Sequence, residues 1–382
     1  QDELPLIPGA LGTAVGLFEG AIDVLSSWER GPADDAKPVK PLVIASTATV
    51  RKAAEQVQRL YARDVEVFPP QVLSVSDTFF SKEVPLPGTA VASDQDGELP
   101  KEAPGRRYLG VCLHGARLTL AEIRLSEILL LAGQKLFDEH GAAAEPYLTL
   151  VDYFSATREL AGMRRYLEDD VTTRVSNPDK NSGYPRRRTP LKLGELTSRI
   201  SSSEIGKTLT HLASPFDADT DTTAGRAVIA AKLKAGVKLD PRELPYDVVL
   251  ATSMLQVGVD VPRLGLMMIV GQPKNTAEYI QASSRVGRDS DKPGLVVTLA
   301  NRARPRDMAH YEQFEHYHDT FYANVEALSV TPFSEAALER GLTGLIISDA
   351  RVIDAVAPRD TSLSAEANAG AGRIAARRST ID

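Results

Sequence analysis

Residues 281–288 read Gln-Ala-Ser-Ser-Arg-Val-Gly-Arg and carry two arginines, Arg285 and Arg288, three positions apart. On a helix that spacing sets both guanidiniums on one face. A guanidinium is a planar fork that keeps its charge and matches phosphate oxygens two at a time. Phosphate is therefore the expected ligand. Upstream stand Thr252, closing an apolar run, and Gly258-Val259-Asp260-Val261-Pro262. The Thr252–Gly258 loop can meet a nucleic-acid phosphate, and Asp260 a nucleotide or a neighbouring loop. Equally, Gly258 can support a turn that Asp260 caps. Asp2-Glu3 opens the chain. At the end of a core strand such a pair can hold magnesium and aim an attacking water; alone it reads as a solvated acidic terminus. Thr47 and Thr49 follow the apolar residues 41–45. Small hydroxyls just past a strand end sit where open α/β sheets bind ligands, and they also cap helices. Thr157 and Arg158 repeat that arrangement after the run 147–154.

The elements that must position these residues follow from periodicity. Apolar runs at 41–45, 108–113, 147–154, 246–252, 264–270 and 294–299 predict strands. Amphipathic stretches between them predict helices at 15–28, 50–61, 118–137, 157–167, 276–288 and 307–328, with another short helix opening at Pro332. Leu17, Ala21, Val24, Leu25 and Trp28 share one helical face and read as core, as do Ile123, Ile128, Leu129 and Leu136. Strands alternating with helices make an α/β chain of parallel sheets. Residues 82–105 are rich in Pro, Gly and Asp and read as a linker or insertion; from Ala355 the composition is that of a flexible tail.

Several features invite chemistry that their context argues against. Gly206-Lys207-Thr208 imitates the end of a phosphate loop, but the position that needs the first Gly holds Ser201, so Lys207 belongs on an exposed helix face. The surrounding Ser/Thr/Arg run 195–205 could grip phosphates or cap a helix. Arg186-Arg187-Arg188 reads equally well as a solvated loop or a phosphate contact. His316 and His318 point about 200° apart on a helix, so no metal centre is expected there. Cys112, the single cysteine, reads as a small buried hydrophobe and excludes an intrachain disulfide framework; it suits a cytoplasmic setting.

A net charge of −7 means that any nucleic-acid contact must come from a local basic surface. With 43% hydrophobic residues, 382 residues can fill two cores. No apolar run approaches the roughly 18 residues that span a bilayer, so no membrane contact is expected. The chain starts at Gln1, inside a candidate motif, and is expected to be a fragment.

The order of Thr47-Ala48-Thr49, Thr157-Arg158, Thr252, Gly258–Pro262 and Gln281–Arg288 resembles motifs III to VI of superfamily 2 helicases. The run 252–288, with Gly271-Gln272-Pro273, Thr331-Pro332-Phe333-Ser334 and the opening Asp-Glu-Leu, is similar to the helicases of the bacterial DISARM anti-phage system. The resemblance implies RecA-like parallel sheets flanked by helices. It places the end of a first ATP-binding lobe in 1–75, a linker or insertion in 76–105, a complete second lobe in 106–330 and a C-terminal extension in 331–382. It implies ATP and Mg2+ as cofactors, with Asp2 (the magnesium carboxylate), Glu3, Arg285 and Arg288 catalytic. Thr47, Thr49, Gly258, Asp260 and Gln281 would bind or sense the nucleotide, and Thr157, Arg158 and Thr252 would meet nucleic acid, DNA before RNA. Defence-system proteins are the implied partners. Pro5 stands where this group usually has His, and no phosphate loop precedes Asp2. The chain is therefore expected to be inactive alone, and a non-catalytic nucleic-acid-binding or scaffold subunit is the alternative.

Overall fold

The computed structural model describes residues 9–30, 37–46, 53–68, 70, 105–178, 183–238, 242–256, 259–289, 291–326 and 331–356. The chain divides into two compact units, 1–73 with 325–382, and 74–324.

In the first unit, α1 (Gly9–Leu25) packs against α2 (Ala53–Tyr61) and α12 (Glu335–Val356). Small residues let the long helices approach: a Cβ on Gly341 would lie 2.6 Å from Leu17 Cδ1. β1 (Trp28–Arg30) and β2 (Lys37–Val39) form an antiparallel ribbon with Trp28 opposite Val39. Asp23 on α1 binds Lys40 at 2.6 Å and also Arg63; those two cations hold its carboxyl below the ordinary value.

Three expectations fail in this unit. Leu17 and Ala21 are buried, but Trp28 leaves the helix for the ribbon and is 54% exposed. Residues 41–45 form no strand: Leu42 and Ile44 are exposed and no described strand lies alongside to pair with them. The segment after Pro332 carries a 22-residue helix rather than a short one, because its apolar positions have α1 to pack on.

The second unit is built on one six-stranded, all-parallel sheet in the order β3-β8-β7-β4-β6-β5. Its strands are β3 (Arg106–Cys112), β4 (Leu150–Phe154), β5 (Leu193–Leu196), β6 (Val248–Ala251), β7 (Leu266–Val270) and β8 (Gly294–Ala300). β4, β6 and β7 are buried at every position, which is why they read as unbroken apolar runs rather than alternating ones. One core holds Val151, Tyr153, Val249 and Ile269; a second holds Leu150, Phe154, Leu250 and Met268. Successive strand residues thus supply opposite faces.

Helices cover both faces: α3 (Leu118–His140), α4 (Thr157–Tyr166), α5 (Thr172–Ser176), α6 (Ser202–Ala213), α7 (Ala218–Asp221), α8 (Thr223–Lys234), α9 (Thr276–Ser283), α10 (Pro305–Glu312) and α11 (Phe314–Thr320). α3 buries Leu130, Leu131 and Phe137, whereas Ile128 and Leu136, expected in the core, face outward. The single helix expected over 307–328 breaks at Gln313, whose φ of −112° and ψ of 33° are not helical. The break turns His318 into an aromatic cluster. Its Nε2 lies 2.9 Å from the Tyr279 hydroxyl, its ring packs on Tyr108 and Phe314, and burial lowers its pKa.

Candidate functional site

The C-terminal ends of parallel strands all open on one edge of a sheet, the edge where such folds bind ligands. β4 delivers Thr157 and Arg158 there. Thr157 begins α4, and its carbonyl accepts a hydrogen bond from Arg199 Nη2 at 2.6 Å; Arg158 beside it is exposed. β6 delivers Thr252, whose N–H donates to the Leu196 carbonyl at 3.1 Å. Its own carbonyl accepts from the Leu255 N–H at 2.9 Å, which opens a short 3-10 turn, Ser253–Gln256. Asp307, buried after β8, caps the neighbouring turns through the N–H groups of Gln272 (3.2 Å) and Asn301 (2.9 Å).

The paired arginines occupy different environments. The spacing argument requires a helix through Arg288, but α9 ends at Ser283. The cause is Gly287, which takes a φ of 62°. A Cβ there would lie 2.6 Å from the backbone of Gly294, so glycine alone allows the chain to turn into β8. Arg285 is buried, and its Nη1 donates to the Val259 carbonyl at 3.0 Å while Nη2 reaches the Gln256 carbonyl. Arg288, beyond the turn, keeps 36% of its side chain exposed and donates to Asp260 Oδ1 at 2.8 Å. The structure therefore brings Asp260 and Arg288 together at the surface and ties Arg285 to the backbone between Thr252 and Asp260. Gln281 is buried in α9, its carbonyl accepting the Ser284 hydroxyl at 3.0 Å. Asp2, Glu3, Thr47, Thr49 and Gly258 lie outside the described residues.

Sequence reasoning missed the group that joins these loops. The Tyr153 hydroxyl donates to Glu278 Oε1 at 2.8 Å and accepts from Gln256 Nε2 at 2.6 Å. Burial and the Glu278 carboxylate raise the Tyr153 pKa, so the phenol stays protonated and donates. One hydroxyl thus connects the end of β4, the turn after Thr252 and the first turn of α9. Only the start of α9 had a sequence signal: Asn275 caps the N–H of Glu278 at 2.7 Å.

Two charged clusters lie away from this edge. Arg187 is buried, and Arg187 and Arg188 share one carboxylate rather than standing as a solvated cluster. Both grip Asp247, at 3.0 and 2.8 Å, and the Arg187 and Asp247 side chains are 1% and 0% exposed. In β4, Asp152 is fully buried and neither carboxyl oxygen accepts a hydrogen bond from a described residue. Burial and nearby Glu122 push its pKa well up, and burial pushes Glu122 up to about 7. The phosphate-loop imitation 206–208 lies inside α6, which Ser201 and Glu204 start with a reciprocal cap, as the capping reading of the 195–205 run expects.

An all-parallel sheet flanked by helices, with hydroxyl-bearing turns at its C-terminal edge, has the architecture of a RecA-like helicase domain. Residues 225–290 match the helicase conserved C-terminal domain. Over 351 residues, 91% of its length, the chain is 40% identical to DISARM protein DrmA of Bacillus paralicheniformis. The chain spans 27% of the length of that relative. Among solved structures, the DUF1998 helicase MrfA bound to DNA aligns over 90% of this chain and 36% of its own, at 14% identity and a TM-score of 0.49. The Mycobacterium smegmatis helicase Lhr bound to single-stranded DNA and AMP-PNP aligns over 83% of this chain and 30% of its own, at 16% identity and a TM-score of 0.39.

Proposed function

We propose that the chain is the motor portion of an ATP-dependent helicase or translocase that acts on nucleic acid, DNA in preference to RNA, in anti-phage defence. The observation that carries this reading is the surface pair Asp260–Arg288, tied to the turn after Thr252 through Arg285, which binds the Gln256 and Val259 carbonyls. An exposed pair of this kind contributes about 0–1 kcal/mol, so exchanging the carboxylate for a phosphate costs little. Arg288 then serves as the guanidinium that neutralises charge on the transferred phosphoryl group, the main protein contribution to such reactions. Arg285 supports it by holding the carbonyls of Gln256 and Val259, which keeps the turn and the arginine segment moving as one body. Thr157, Arg158 and Thr252 contact the nucleic-acid backbone, and Arg199, bonded to Thr157, joins them. Asp2 holds Mg2+ with ATP and Glu3 aims the water, while Thr47, Thr49, Gly258 and Gln281 couple nucleotide state to the strand.

The test is ATP hydrolysis by the protein that contains this chain, with and without DNA or RNA. Arg288→Ala should lower the stimulated rate by about 10³-fold or more and leave nucleic-acid binding largely intact. An unchanged rate sinks the assignment of Arg288. Binding to nucleic acid with no hydrolysis by the unaltered protein favours the non-catalytic subunit instead. Stimulation by RNA alone overturns the preference for DNA.

A further inference from the structure

The opposite edge of the same sheet carries a second surface. A cleft of about 1030 Å³ opens where the chain enters β5 and β6, at their N-terminal ends. Its floor is aliphatic, formed by Leu191, Leu193, Ile229, Leu233 and Leu244. Leu233 and Leu244 are 57% and 42% exposed, a cost in water that a partner would remove. Its rim is cationic. Among the described residues, Arg164, Arg188, Lys192, Arg226, Lys232 and Arg242 line it against only Glu168 and Asp221. This concentration stands out on a chain of net charge −7.

The rim is largely preorganised. Arg242 is held by Asp221 at 2.8 Å, Arg226 by Gln134 at 2.9 Å, and Arg188 by Asp247 at 2.8 Å. Those contacts consume Asp221. Lys192 and Lys232 have no carboxylate within ion-pair distance among the described residues. Lys232 and Leu233 lie side by side near the end of α8.

An aliphatic floor with a basic rim matches the two faces of one kind of ligand. We infer that this cleft docks an acidic amphipathic helix of a partner protein, its apolar side chains on the leucine floor and its carboxylates on the lysine and arginine rim. Helix-in-groove recognition uses apolar anchors at i, i+3, i+4 and i+7. The surrounding charge sets orientation and association rate. Nucleic acid fits less well, because no aromatic side chain lines the cleft to stack a base and phosphates would leave the aliphatic floor uncovered. The position favours the same conclusion. The cleft lies at the β5 end of the strand order, facing away from the edge that carries Thr252, while the arginine segment 284–287 sits beside the first residues of β3 and β8 at the other end, so a docked helix leaves both open.

The test is fluorescence anisotropy on the whole chain with three probes. One is a synthetic helical peptide of Glu with Leu at the anchor spacing. The second is a scrambled peptide of the same composition, and the third a single-stranded DNA oligonucleotide. The amphipathic peptide should bind and the scrambled one should not. Leu233→Asp should weaken binding by about tenfold or more, and Lys232→Glu by a few-fold at low salt, about what one apolar anchor and one exposed charge contribute. Lys232→Arg should bind as the parent does. Both positions are exposed, so an unchanged melting temperature separates lost docking from lost folding. The proposal is overturned if the amphipathic peptide fails to bind, if the scrambled peptide binds equally, or if both substitutions leave affinity unchanged. It is also overturned if DNA occupies the cleft, seen as DNA binding that Lys232→Glu removes while peptide binding persists.

Discussion

Replacing Asp247 with Ala removes the anion on which the start of the second unit's sheet is assembled. Its Oδ1 accepts Arg187 Nε at 3.1 Å, and its Oδ2 accepts Arg188 Nε and the Lys192 N–H, each at 2.8 Å. Its backbone N–H and carbonyl bond the chain leading into β5 and the first residue of β4, at 2.8 and 3.0 Å. The substitution leaves the buried Arg187 charge with only the carbonyls of Leu130 and Leu148. Burial already lowers the Arg187 pKa, which measures how poorly its charge is solvated. Breaking a buried pair from one side costs about 3–5 kcal/mol. At roughly 2–4 °C per kcal/mol for a unit of this size, the melting temperature should fall by about 6–20 °C. Scanning calorimetry of the whole chain reads the shift directly. The double substitution Asp247→Leu with Arg187→Met removes the fully buried pair and should recover part of the loss, the remainder staying with Arg188 and the Lys192 N–H, which still lack their acceptor. The reasoning is refuted if Asp247→Ala costs under about 1 kcal/mol, the value of an exposed pair. It is refuted equally if the double substitution is no better than the single one.

Two further perturbations test the site edge and the strand beneath it. Asp152 and Glu122 hold protons in the fold that the unfolded chain releases at ordinary carboxyl values, 3.8 and 4.5. The folded state therefore binds more protons at these two sites above those values, so the stability these two groups contribute is fully present below about pH 4, and Glu122's share is lost as pH rises through about 7. Asp152→Asn should leave the urea midpoint nearly unchanged at pH 4 and raise it at pH 8; a gain equal at both pH values would contradict the assignment. Tyr153→Phe keeps the buried ring but deletes the hydroxyl that joins Gln256 to Glu278. It should cost about 1–3 kcal/mol in stability, because it strands the buried Gln256 amide. In the ATPase assay it should lower the ratio of nucleic-acid-stimulated to basal rate, and an unchanged ratio would remove Tyr153 from the coupling.

The parts of the fold that were legible in the sequence are those whose signal is local. Residues 264–270 and 294–299 read as strands because both sheet faces are covered and the apolar runs are unbroken. β5 was not legible: Leu-Gly-Glu-Leu is short and mixed, and it becomes a strand by pairing with β6, far along the chain. Residues 41–45 show the converse, an apolar run without a described strand to join. The outward turn of Ile128 and Leu136 has a similar cause. Periodicity establishes that α3 has apolar positions on more than one face, but which face the sheet takes depends on packing. Arg187 and Arg188 were unreadable for the simplest reason, since their counter-ion stands about 60 residues later.

The division between Arg285 and Arg288 follows from one glycine. With any other residue at 287, a φ of 62° and a 2.6 Å approach to Gly294 would both be prohibitive, and a helix continuing through Arg288 would set the two guanidiniums side by side. The turn instead sends Arg285 inward, where the Gln256 and Val259 carbonyls satisfy it, and leaves Arg288 outward against Asp260. A buried arginine tied to two carbonyls is poorly placed to leave them for a ligand, because it would strand both acceptors. An exposed arginine held by one exposed carboxylate can change partner at little cost. The same residue type thus serves as a fixed brace at one position and an exchangeable contact three residues later. The two substitutions should consequently separate in the laboratory: Arg285→Ala should lower folding stability along with any activity, and Arg288→Ala should spare stability.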